Sequence, residues 1–147
     1  MAQPDTDRER GLVVLHGAAV LFLGLLLGLP AVVEELAGIQ PTTWRAGHGA
    51  LLLAGVWLLA AAAVLPLLRL SAGQRVALCW SLVVTAYAFT TAILLQAITG
   101  VRALSPHGTL SGWIAYLANL VTVAAGLLAA LLTLMGAAAA LRRRTEA

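Results

Sequence analysis

The stretch WRAGHGALLLAG, residues 44–55, places a histidine between two glycines at the head of an apolar run. The run continues to about Leu68, with Pro66 kinking its last turn, and Thr42 or Thr43 is placed to N-cap it. About 20 apolar residues are enough to cross the hydrocarbon core as a helix. Polar side chains inside such a span are costly, and they mark either packing or function. The reading of residues 44–55 therefore decides the class: a membrane scaffold with His48 at its centre.

Composition carries the same message outward. Of 147 residues, 61% are hydrophobic and only 10% are charged, and mean hydropathy is +0.96. A soluble domain carries roughly a quarter of its residues as charges, so lipid is the main solvent here. The net charge of +3 comes from nine basic residues, all arginine. They sit at the termini and in gaps between apolar runs, without interleaved aromatics, which excludes a nucleic-acid-binding surface. The single Cys79 excludes an internal disulfide or a cysteine-based metal cluster.

Residues 1–10 alternate in charge and are expected to be a disordered lead-in. From Gly11 to Leu29 the chain is apolar except for His16, an expected first span ending at Pro30; it is too long for a signal peptide. Glu34 and Glu35 open a loop through Pro41. After the second span, Arg69 to Arg75 forms a polar turn, and a third helix runs from about Gln74 to Thr99, stopped by Gly100. A loop with Arg102 and His107 leads to a fourth helix over about Ser111–Leu141, followed by a basic tail from Arg142. The expected fold is all-α, an antiparallel bundle of four transmembrane helices spanning residues 11–141. Arg8, Arg10, Arg69, Arg75 and Arg142 to Arg144 fall on one side, against Arg45 and Arg102 on the other, so both termini are expected to be cytoplasmic. Trp44 and Trp113 fall at the outer boundary and Trp80 at the inner one, where indoles favour the headgroup region. A lysine-free chain rich in Ala, Leu and Arg points to a bacterial inner membrane.

Few residues can carry chemistry. His16 and His48 lie near opposite ends of their helices, roughly 15 Å or more apart by helix rise, too far to share an ion. No HExxH, no CxxC and no carboxylate within a span occurs, which speaks against zinc hydrolysis and carboxylate acid–base catalysis, and against ion transport. One neutral histidine in a membrane helix suits the axial position of haem iron. Gly47 and Gly49 would let a flat macrocycle approach, and Arg45, one turn earlier on the same face, could meet a propionate. The alternative is that His48 satisfies hydrogen bonds at the helix entrance while the glycines serve close packing. Thr85, Ala92, Gln96 and Thr99 share a face of the third helix, with Tyr87 and Thr91 beside it; Tyr116, Asn119, Thr122 and Gly126 line the fourth. Tyr87 and Asn119 are the candidate catalytic side chains, the alternative for both stripes being interhelical hydrogen bonds. Gly24 and Gly28 form a GxxxG, a small-residue packing face compatible with oligomers.

Taken together, the segments His16-Gly17, Leu21 to Leu26 with Gly28, then Arg45, His48 and Gly55, resemble a family of small four-helix membrane isomerases. That family includes styrene-oxide isomerase and, closer in length and loop pattern, hydroxylaminobenzene mutase. The likeness covers about Leu12 to Thr133. Leu65-Pro66 looks like the isomerase branch; Leu70-Ser71, and Gly100 followed by Pro106, look like the mutase branch. In the styrene-oxide branch the histidine equivalent to His48 ligates haem b in a trimer, and ferric iron acts as a Lewis acid toward the epoxide oxygen. The resemblance thus implies His48 as the metal ligand, with Arg45, Gly49 and Gly55 in the haem-binding block. It also implies a homo-oligomer and a redox-neutral rearrangement of a small hydrophobic substrate, an aromatic epoxide or an arylhydroxylamine. Three positions depart from the pattern. Ala54 stands where the family has asparagine, and Tyr87-Ala88-Phe89 stands where the mutases have Tyr-Ala-Asn; the isomerase phenol falls on or near Ile93. The competing expectation is a membrane protein without catalysis, packing against a partner or holding haem without turnover.

Overall fold

The computed structural model describes residues 4–38, 43–100, 104–106 and 108–144. Arg102, His107 and a cap at Thr42 lie outside the described residues. The described residues form four α-helices: α1 (Pro4–Leu36), α2 (Thr43–Val64), α3 (Ala72–Thr99) and α4 (Leu110–Arg144). Each is long and apolar enough to cross a membrane. The protein is a four-helix transmembrane bundle, as its hydropathy pattern requires.

The boundaries differ from expectation in three places. First, α1 begins at Pro4, inside the segment expected to be disordered. Proline is suited to a first helical turn, where its missing N–H would have no partner, and Asp7 and Glu9 near the start complement the helix dipole. Second, α1 passes through Pro30 to Leu36; membrane helices tolerate proline because neighbouring groups satisfy the freed carbonyl. The stop is Gly38, in the left-handed region at φ 66°, with the N–H of Ala37 on the Val33 carbonyl (3.0 Å) and that of Gly38 on the Glu35 carbonyl (3.2 Å). Third, α4 continues through Arg144, three residues past the expected end at Leu141.

The α2–α3 corner follows the sequence closely. Pro66 converts the end of α2 into a 3-10 turn, Leu65–Leu67. Ser71 then caps α3 reciprocally with Gln74: the serine hydroxyl accepts from the Gln74 N–H (3.3 Å) and the Gln74 amide oxygen accepts from the Ser71 N–H (2.9 Å). Gly100, at φ 69°, closes α3.

Packing is uneven. α1 lies against α2 and α3 against α4, and α3 joins the two hairpins. Half of the α3 span (50%) is buried, against 17% of the α4 span. The main core, Val13, Val20, Leu58, Ala62, Leu65, Leu78, Leu82, Ala86, Ala129 and Leu132, fills the half of the bundle where α1 and α3 begin. The other half has only a small cluster around Ala92 and Ala115. At the well-packed end Glu9 and Arg75 pair at 3.5 Å, tying α1 to α3. The Arg69 N–H donates to the Gly136 carbonyl (3.1 Å), tying α4 to the corner.

Candidate functional site

His48 sits one turn into α2, half-buried, facing α1. Its Nδ1 lies 2.7 Å from the carbonyl oxygen of Gly24. A carbonyl only accepts, so Nδ1 carries the proton and Nε2 presents its lone pair. Gly28 closes the other side of the ring: a Cβ there would stand 2.9 Å from Nδ1 and 3.0 Å from Cε1. The imidazole is thus oriented by two glycines of α1 that the sequence marked only as a GxxxG packing face. That motif is spent within the chain, since a Cβ at Gly24 would meet the backbone of Leu51 and Leu52 at 3.1 and 2.9 Å.

The other residues of the expected haem-binding block separate into two kinds of surroundings. Gly49 is exposed and has open space where a Cβ would be, whereas Gly47 is buried, with Ile93 Cγ2 3.0 Å from its absent Cβ. Arg45 is exposed and pairs with Glu35 at the end of α1, at 3.1 Å. Gly55 lies two turns deeper than His48, where a Cβ would meet the Leu21 N and Cα at 2.7 and 2.8 Å. Its role in the fold is to bring two backbones together.

Tyr87 and Asn119 are not brought together. The Tyr87 hydroxyl hydrogen-bonds His16 Nδ1 at 3.0 Å, and the two rings meet edge to face, so this polar pair joins α3 to α1. Asn119 lies on the α4 face that turns toward α3. Gly126 of α4 is level with Thr85 of α3; counting back from it places Asn119 roughly 8 Å along the bundle from Tyr87. The same counting along α1 puts His16 roughly 12–18 Å from His48, so the two histidines form separate sites. The threonine hydroxyls of these stripes donate within their own helices. Thr85, Thr90, Thr91, Thr99 and Thr122 each donate to the carbonyl four residues back, at 2.6–2.9 Å.

Two of the departures from the family pattern turn out to be neighbours in space. Ala54 and Phe89 line one cavity of about 320 Å³ between α2, α3 and α4, with Ala50, Leu53, Trp57 and Ala86. Its only other residues, Thr85 and Thr122, have their hydroxyl protons committed to Ser81 and Ala118. The walls are therefore almost wholly apolar. This cavity lies on the α4 side of α2, whereas His48 faces α1. The sequence could not reveal the grouping, because it depends on three helices meeting at one level.

Among the described residues no group of three or more His, Cys, Asp or Glu side chains is placed to hold a metal ion. The geometry defines a polytopic membrane protein with one oriented imidazole on a helix–helix edge and a separate apolar chamber. The chain belongs to the styrene oxide isomerase family, which it matches over residues 9–138. No curated protein and no solved structure matches it.

Proposed function

We propose that this protein is a haem-dependent membrane isomerase, in which His48 would hold haem b. The observation that carries the reading is the hydrogen bond from His48 Nδ1 to the Gly24 carbonyl. Metal-bound histidines characteristically donate their second ring nitrogen to such a carbonyl, which fixes the tautomer and raises the basicity of the other. Nε2 has no hydrogen-bond partner among the described residues. Open space over Gly49 and the exposed guanidinium of Arg45 lie on the same side of α2, suited to a flat macrocycle and to a propionate. These residues fit the group the family implies.

When bound, ferric haem supplies a Lewis acid that weakens a C–O or N–O bond of the substrate without net oxidation or reduction. The chain's own residues do the rest. The α1 glycines hold the imidazole in one orientation. The cavity of Ala54 and Phe89 receives the hydrocarbon part of a small aromatic epoxide or arylhydroxylamine from the lipid, its apolar walls suited to an aromatic ring. Because His48 and this cavity occupy opposite sides of α2, the reading includes a homo-oligomer, a trimer by resemblance. In it the His48 edge of one copy faces the cleft of the next. The reading also includes a bacterial inner membrane with both termini in the cytoplasm, an orientation favoured by the arginine-rich end of the bundle.

The test is an absorption spectrum of protein purified in mild detergent from haem-supplemented cells. A near-stoichiometric Soret band, absent in His48→Ala, is expected. A folded, colourless protein, or a band unchanged in His48→Ala, refutes the ligand assignment. Turnover is then assayed with styrene oxide and phenylhydroxylamine. Mixing inactive His48→Ala with a variant filled at Ala54 should restore activity if the site is shared between copies.

A further inference from the structure

At the end of the bundle where α1 and α3 enter the membrane, the two helices enclose a cavity of about 380 Å³. Its lining changes character with depth. Arg8, Glu9 and Arg75 form the rim; Leu12 lies one turn further along α1, and Val76 and Trp80 lie further along α3. Both helices run inward from this end, with their spans starting at Asp7 and Ala72. The charged rim therefore stands at headgroup level and the apolar wall in the hydrocarbon. Trp80 is exposed on that wall, at a depth where indole rings settle. Glu9 and Arg75 are held 3.5 Å apart with each side chain only 17% exposed, while Arg8 stands exposed beside them. Two guanidiniums against one carboxylate leave one net positive charge.

We propose that this cavity binds one anionic phospholipid, its phosphodiester between Arg8 and Arg75 and an acyl chain along Leu12, Val76 and Trp80. The charge of such a headgroup matches that of the rim. Basic pockets between transmembrane helices are suited to anionic headgroups. A zwitterionic lipid would add an ammonium whose natural partner, Glu9, is already held by Arg75. The site is separate from His48 and independent of the chemistry proposed there.

Native mass spectrometry of the full chain, released from mixed micelles of phosphatidylglycerol and phosphatidylcholine, tests this. One retained phosphatidylglycerol per chain is expected, with phosphatidylcholine excluded. Arg8→Gln should weaken retention about fivefold, the effect of one guanidinium near a membrane surface. Arg75→Gln should weaken it at least as much. Arg142→Gln, at the same end of the bundle but outside the cavity, should leave it unchanged. Because Arg75→Gln also frees Glu9 and can disturb the fold, the exposed Arg8 is the deciding position. Equal retention of the two lipids, or equal retention by Arg8→Gln and Arg142→Gln, overturns the proposal. So does displacement of phosphatidylglycerol by millimolar inorganic phosphate, which would mark a site for a free anion.

Discussion

Helix α2 has two long edges that are built in opposite ways. Toward α1 it closes on glycines: Gly17 meets Leu58, Gly55 meets Leu21, Gly24 meets Leu51 and Leu52, and Gly28 meets His48. As the α1 numbers rise the α2 numbers fall, a continuous antiparallel seam. Toward α4 the same helix presents Ala50, Ala54, Ala60 and Ala61, and the surface stays open. The 320 Å³ cavity and a second of about 540 Å³ adjoin along this edge, sharing Trp57. The side chains at the contact separate the two outcomes. Where glycines meet, backbones touch and a side chain such as His48 can reach a neighbouring carbonyl; where alanines stand beside Leu53, Trp57 and Val64, α2 and α4 stay apart over a floor of α3.

Substitutions should therefore cost very different amounts on the two edges. Gly55→Val is expected to be the most damaging, because its new atoms would collide with the backbone of Leu21 rather than with a movable side chain. A loss of about 3 kcal/mol, at the upper end of ordinary overpacking, should appear in reversible unfolding in mixed micelles. Stability within about 0.5 kcal/mol of wild type would show that the seam is looser than described. Gly28→Ala meets only the imidazole, which can turn aside. Here the expected stability loss is about 1 kcal/mol, but haem retention should fall with it, since Nδ1 is pushed off the Gly24 carbonyl. Haem content unchanged in this variant would separate ring orientation from ligation. On the open edge, Ala54→Leu should stay within about 1 kcal/mol of wild type, because the cavity accepts the added carbons; its effect should appear in substrate size preference. Arg45→Gln should change stability least, by about 0.5 kcal/mol or less, as the pair with Glu35 is exposed.

Helix number and order were legible because apolar runs of membrane length leave few alternatives. The Ser71–Gln74 cap, by contrast, emerged only with the structure, in a segment read simply as a polar turn. The end of α1 was misjudged at Pro30, since proline stops helices more reliably in water than in lipid; the glycine that stops it, Gly38, lies eight residues on. Gly24 and Gly28 were visible as a pair, but their partner was not, because the register between α1 and α2 is set by packing along the whole seam. The polar stripes of α3 and α4 left catalysis and bonds between helices both open. Tyr87 does bond across to α1, whereas the threonine hydroxyls donate within their own helices, a choice that depends on how close the next helix comes. His48 stood out for a chemical reason, the rarity of a polar ring between glycines in an apolar run. Its hydrogen-bond partner, and the meeting of Ala54 with Phe89, came only with three dimensions.

The burial of α3 also bears on how the chain enters the membrane during synthesis. α3 is the least hydropathic of the four spans and the most enclosed, and its threonines and Gln96 make it the poorest candidate for standing alone in lipid. The α1–α2 hairpin, sealed by glycines, is complete before α3 leaves the ribosome. It can therefore serve as an intramolecular escort, receiving α3 against Val13, Val20 and Leu58 before α4 has been made.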